Sequence, residues 1–143
     1  MNVIIAGAGI GGLTAALCLQ KSGHRVQLLE QAAEFTEVGA GIQCGANALR
    51  VLDYLGLRSQ IEAIAVDPLR ADFRDHKTGE VLYSVPFGKA YLERHGAPYL
   101  HVHRADLHQI LASAFLANDP SSVVLNTTVV GYTEEANKVT VHC

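Results

Sequence analysis

The feature that most constrains this chain is a hexapeptide, Gly7-Ala8-Gly9-Ile10-Gly11-Gly12, set between an apolar run and a helical pattern. The run before it, Asn2 to Ala6, carries Val3, Ile4 and Ile5 in succession, apolar on both faces, which predicts a central parallel strand. A helix-like stretch follows, beginning near Gly11 and running through Leu13, Ala16, Leu17 and Leu19, with Gly23 placed to end it. A second apolar stretch, Arg25 to Leu29, closes on Glu30. Glycine at the first, third and sixth places of the hexapeptide permits a tight turn, close backbone approach to a pyrophosphate, and close packing of helix on sheet. Such a turn taken alone can serve a purely structural connection; here strand, helix and terminal acid surround it at the right distances.

The chemistry follows from that order. The helix start directs its unpaired N–H groups and positive dipole end at phosphate. Glu30 stands about twenty residues beyond the turn, where a carboxylate accepts hydrogen bonds from ribose hydroxyls and repels a 2′-phosphate. The site suits FAD or NAD better than NADP.

Composition sets the class. With 49% hydrophobic and 17% charged residues and a net charge of −3, the chain reads as a soluble α/β protein. Its 11 Lys and Arg are scattered and aromatics are 6%, so no phosphate-tracking stripe or stacking platform for nucleic acid is visible. The N-terminal run lacks a basic flank and is broken by glycines, and no longer apolar span follows, so neither a secretory signal nor a membrane partner is expected, and a cytoplasmic location is. Cys18, Cys44 and Cys143 are odd in number and far apart, which argues against a disulfide framework or a zinc knuckle.

Further along, Ala32 to Val38 reads as a surface loop, and Gly39 to Gln43 is too glycine-rich for an ordinary element. Helices are expected over Asn47 to Leu55 and Ser59 to Ile64. Strands at Leu69 to Arg74 and Val81 to Val85 flank a hairpin turn at Lys77-Thr78-Gly79, and Pro86, Gly88 and Gly96 mark a loop. A strand at Tyr99 to His103 leads into a helix from Ala105 to Ala117, closed by Asp119-Pro120. Strands at Ser122 to Leu125, Thr128 to Thr133 and Val139 to His142 complete the pattern, with a turn at Glu135-Ala136-Asn137.

Arg104 opens a helix, where the dipole disfavours a cation, so a fixed anion such as a pyrophosphate would explain it; an exposed arginine is the competing reading. His101 and His103 share a strand face, but no third ligand has convincing spacing, and no metal site is expected. Tyr83, Phe87, Tyr91 and Tyr99 are candidates for an aromatic-substrate pocket or for plain packing. No Gly-x-Ser-x-Gly elbow occurs.

The string LLEQAAEFTEVGAGIQCGANALRVLDYLGL at Leu28 to Leu57, with PYLHVHRADLHQIL at Pro98 to Leu111, resembles the FAD-dependent aromatic-ring monooxygenases, especially the salicylate hydroxylase-like branch. The resemblance implies a Rossmann-like FAD-binding domain, a parallel sheet with added strands, in which residues 68–100 contribute to a substrate-side β region. It implies that Gly7, Gly9, Gly11 and Gly12 cradle the FAD pyrophosphate, that Glu30 and Gln31 hold the adenosine ribose, and that Arg104 contacts FAD. The loop Gly39 to Gln43 would lie against the flavin ring through Gly41 and Ile42, with Gln43 on the substrate side, and Val129 would offer a backbone contact to adenine. Ala46-Asn47 stands where the family usually has Pro-Asn. Two further family motifs, an Asp-Gly pair and a Gly-Asp segment, do not occur before Cys143, so the chain is expected to be the N-terminal part of the fold. The implied activity is hydroxylation of a small aromatic compound with O2 and NADPH or NADH; the alternative is a nonenzymatic nucleotide-binding fragment. The strand ending at Leu29 and the one near Val123 to Leu125 can cover only one edge of the first strand, and the edge left uncovered is expected to favour self-association.

Overall fold

A computed structural model describes residues 1–35 and 39–143. The last three residues of the expected 32–38 loop lie outside the described residues. In chain order the elements are β1 (Asn2–Ala6), α1 (Ile10–Lys21), β2 (Arg25–Leu29), β3 (Gly41–Cys44), α2 (Ala46–Tyr54), α3 (Arg58–Ile64), β4 (Arg70–Arg74), β5 (Val81–Pro86), α4 (Gly88–His95), β6 (Leu100–His103), α5 (Arg104–Leu116), β7 (Val123–Val124), β8 (Gly131–Glu135) and β9 (Lys138–His142). They fall into two compact units, residues 1–38 with 107–143, and residues 39–106.

The first unit is an α/β unit. Its three-stranded sheet has the order β1-β2-β7. β1 and β2 run parallel from Asn2 opposite Arg25 to Ala6 opposite Leu29, and β7 pairs parallel through Leu28 opposite Val123. Leu13 of α1, Leu28 of β2, and Leu111 and Phe115 of α5 are fully buried. Removing their side chains from water supplies on the order of 1.5–3 kcal/mol each. As expected, β2 and β7 lie on one side of β1, and its other edge is uncovered among the described residues, with Ile4 45% exposed. Three consecutive aliphatics make a strand, but its rank in the sheet depends on long crossovers. β2, alternating in pattern through Arg25 and Gln27, takes the centre because the chain returns as β7 on its other side.

The end of the chain also departs from expectation. Asp119 accepts a hydrogen bond from the Ser121 N–H and caps a 3-10 turn at Pro120–Ser122, which removes Ser122 from the strand and leaves β7 two residues long. Asn126, at φ +52°, breaks the extended run, so the next strand begins only at Gly131 and Val129 lies ahead of it.

The second unit pairs β3 antiparallel with β6, extended by a bridge between Val66 and His101. Leu49, Leu52, Leu57 and Ile61 of its helical segment are buried, as are Leu100 and Val102 of β6. β4 and β5 form the expected hairpin. Two expectations fail here. The Gly39 to Gln43 loop is a strand from Gly41 onward, because β6 supplies an antiparallel partner that the glycines do not prevent. Gly88 and Gly96, taken as loop markers, instead bracket α4: Gly96 is left-handed, and its N–H bonds the Leu92 carbonyl to end the helix.

Candidate cofactor site

The glycine turn leaves β1 through Gly7, whose φ of +96° is a conformation that side chains disfavour. The Gly7 N–H donates to the Leu29 carbonyl at 2.7 Å, tying the turn to the end of β2. A Cβ on Gly12 would collide with the Gly7 carbonyl oxygen, so glycine there is required for helix and turn to meet. A Cβ on Gly7, Gly9 or Gly11 would meet no atom within 4 Å, so these three face open space. Gly9, the N-cap of α1, brings no side-chain cap, and no acidic residue occupies the first turn. The positive end of α1 therefore offers its first N–H groups to an external acceptor.

Glu30 follows β2 directly. Its carboxylate accepts from the Ala8 N–H at 2.6 Å and from the Ala32 N–H at 2.9 Å. These bonds, Ala32's first and then Ala8's, hold its pKa below the ordinary glutamate value against the opposing effect of burial. Each carboxylate oxygen retains lone-pair capacity for a further donor such as a hydroxyl. Beside it lies an open cavity of about 250 Å³ bordered by Gly7, Glu30, Gln31, Thr127, Thr128 and Val129. The structure thus brings Gly7, Glu30, Gln31 and Val129 together, although Val129 arrives from coil and not from a strand.

A cofactor with a pyrophosphate and an adenosine ribose fits these residues: open space over the glycines, an uncapped helix start, and a carboxylate at the cavity wall. One contributor escaped the sequence reading. His108 of α5 is 4% exposed, and its Nε2 lies 2.8 Å from the Ala8 carbonyl oxygen. The available signal was a histidine between Leu107 and Leu111 on an apolar helix face.

The other expected residues belong to the second unit. Gly41, Ile42 and Gln43 stand on β3, opposite His103, Val102 and His101 respectively. The Arg104 N–H donates to the Ala40 carbonyl at 3.2 Å, and a Cβ on Gly39 would press on the Arg104 side-chain carbons at 3.2 Å. Gly39 thus leaves room for the arginine stem. Tyr99 donates its hydroxyl proton to Gln43 Oε1 at 2.5 Å. Both border a cavity of about 360 Å³ shared with Arg70, Asp72, Phe73, Phe87 and His101.

Of the four aromatic candidates, Phe87 and Tyr99 reach this cavity and stack on each other at 4.2 Å. Tyr83 stacks instead on Phe73 at 4.3 Å, and Tyr91 packs edge-on against Phe87 and Tyr99. His101 is half-buried, with an Nε2 that finds no hydrogen-bond partner among the described residues, and His103 is exposed. No cluster of three or more His, Cys, Asp or Glu suited to a metal occurs among the described residues. Nor is any described helix long and apolar enough to cross a membrane.

A parallel βαβ unit, an obligatory glycine turn with an uncapped helix start, and an acid at the end of the second strand define a dinucleotide-binding fold. The chain belongs to the FAD binding domain family, whose pattern it matches over residues 1–143. It is 36% identical over 142 residues to the 3-hydroxybenzoate 6-hydroxylase of Polaromonas naphthalenivorans (strain CJ2), covering 99% of this chain and 36% of the relative. It is 35% identical over 150 residues to the 6-hydroxynicotinate 3-monooxygenase of Pseudomonas fluorescens, covering 96% of this chain and 39% of the relative. Among solved structures, Klebsiella pneumoniae HpxO complexed with FAD and uric acid superposes with a TM-score of 0.81 at 31% identity, over 99% of this chain and 34% of that one. The chain therefore spans little more than a third of the length of the curated relatives it matches. The resemblance to aromatic-ring monooxygenases read from the sequence is borne out by these relatives.

Proposed function

We propose that this chain holds the FAD of a monooxygenase that hydroxylates a small aromatic compound. Gly7, Gly9, Gly11 and Gly12 take the pyrophosphate on the N–H groups at the start of α1. Glu30 and Gln31 hold the adenosine ribose, and the Val129 backbone lies by the adenine. Arg104 offsets cofactor phosphate charge; Gly41 and Ile42 serve the flavin ring, with Gln43 on its substrate side, and residues 68–100 belong to the substrate-side β region. FAD, when bound, supplies the redox chemistry: NADPH or NADH gives two electrons, and O2 is divided between the ring hydroxyl and water. The residues of this chain bind, orient and shield that group. The relatives' names, hydroxybenzoate and hydroxynicotinate among them, support a small aromatic substrate. Three free cysteines accord with a cytoplasmic protein, and the outer edge of β1 accords with self-association.

The observation that carries the reading is the contrast among the glycines: Gly12 is demanded by the fold, whereas Gly9, at φ −70°, has room for a side chain that the fold does not use. Gly9→Ala should leave the unfolding midpoint unchanged and weaken ADP and FAD binding in isothermal titration by at least tenfold, since the methyl group intrudes where phosphate approaches. Unchanged affinity in Gly9→Ala would sink the assignment.

A further inference from the structure

We infer that His108 is a positioning residue of the glycine turn, one that sets the direction of the Gly9 N–H toward phosphate; the inference rests on the FAD-site reading above. His108 sits on the buried face of α5 with Leu107, Leu111, Ala112 and Phe115, and its ring packs at 5.8 Å from that of Phe35. A carbonyl oxygen accepts and never donates, so the 2.8 Å contact to the Ala8 carbonyl requires the proton on Nε2. Ala8 itself is 1% exposed and is held at both ends: its N–H by Glu30 Oε2 at 2.6 Å, its carbonyl by His108.

The consequence comes from peptide geometry. The bond between Ala8 and Gly9 is trans, so its N–H points opposite to its C=O. Fixing the Ala8 carbonyl toward α5 turns the Gly9 N–H away from α5, and the planar peptide cannot swing back without breaking the histidine bond. Glycine on both sides of Ala8 makes this restraint necessary, because Gly7 and Gly9 are the residues with the greatest freedom to rotate a peptide plane. Glu30 and His108 act as a pair of stops on one peptide segment, and both border the same small cavity of about 90 Å³ with Gly9 and Phe35. Glu30 meets the ligand directly in the proposed function; His108 acts through Ala8.

The test compares adenosine with ADP on the 143-residue chain, wild type against His108→Leu and His108→Gln, by isothermal titration alongside thermal unfolding. Losing the donor in His108→Leu should reduce the advantage of ADP over adenosine by about tenfold while adenosine affinity stays near wild type. His108→Gln, whose amide can donate to the same carbonyl, should recover most of that advantage. A merely structural role predicts a lower unfolding midpoint with adenosine and ADP weakened equally, and that result overturns the proposal. Should His108→Leu fail to fold, nitrogen NMR of the wild-type imidazole decides, since a proton on Nδ1 with a bare Nε2 also overturns it. Wild-type protein that binds neither ADP nor FAD would instead defeat the cofactor assignment, a result distinct from either histidine outcome.

Discussion

The two units of this chain place polar chemistry in different hands. In the unit of residues 1–38 and 107–143, the start of α1 presents backbone N–H groups with no side-chain cap, and the side chains of Glu30 and His108 bond the backbone of the glycine turn. In the unit of residues 39–106, side chains face the cavity themselves: Gln43, Tyr99, Arg70 and Asp72 line it, and Asp72 is engaged by Arg70 at 3.0 Å, Arg74 at 3.3 Å and the Ser84 hydroxyl at 2.6 Å. Their packing differs in the same sense. The first unit buries Phe115 fully, whereas every residue of β5 in the second is exposed and Phe73, stacked on Tyr83, is 46% exposed. A site made of backbone needs a rigid core beneath it. A site made of side chains is adjusted by replacing them, and its strands tolerate exposure.

The hardest test of that contrast is Phe115→Ala. It should destabilise the chain by about 3–5 kcal/mol in urea denaturation, through lost burial and the cavity left behind. A loss no larger than that from trimming an exposed aromatic would break the distinction between the units.

Next in size is the acid sensitivity contributed by Glu30. Its pKa is depressed in the folded chain by the Ala32 and Ala8 N–H groups, so the folded state binds the carboxylate form more strongly than the unfolded state does. The associated stability is fully present above the ordinary glutamate pKa and is lost as the pH falls through the depressed value. Glu30→Gln should therefore lower stability by on the order of 1 kcal/mol at neutral pH, the partial exposure of the carboxylate keeping the effect small, and should bring the two curves together in acid. Parallel curves for the two proteins across that range would show that the carboxylate is not what ties β2 to the glycine turn.

The smallest effect belongs to Phe73→Ala on the exposed hairpin. Loss of the Tyr83 stack should cost about 0.5 kcal/mol, the low end for an aromatic pair because Phe73 is exposed, with affinity for ADP unaltered because the change lies outside the unit that holds the glycine turn. A weakened ADP response would sharpen the comparison differently, by showing that the two units are energetically coupled.

How far each region was legible follows from the range of the forces that shape it. The βαβ segment from Asn2 to Glu30 reads directly from the residues, because its strand, turn and helix are set by neighbours: Gly7 by its own φ, Gly12 by a carbonyl five residues earlier, Gly23 by the end of α1. The cofactor class follows from the same stretch, since Glu30 closes a strand at a fixed distance from the turn. The hairpin of β4 and β5 was legible for the same reason. Helix α4 was not, because glycine at Gly88 and Gly96 is as suitable for flanking a helix as for forming a loop, and local pattern does not distinguish the two.

Tertiary structure alone decided three matters. It paired β7 with the far side of β2, because the order of strands depends on where a distant segment returns. It joined Gln43 to Tyr99 across 56 positions of sequence, and His108 to Ala8 across 100. Neither partner of such a bond carries a local mark of the other, and the histidine met its carbonyl only because α5 buries the face on which that histidine stands. What the sequence by itself determined is the glycine turn between β1 and α1, since glycine spacing acts through short-range sterics; the bond from His108 to that turn was settled by a contact that only the closed chain can make.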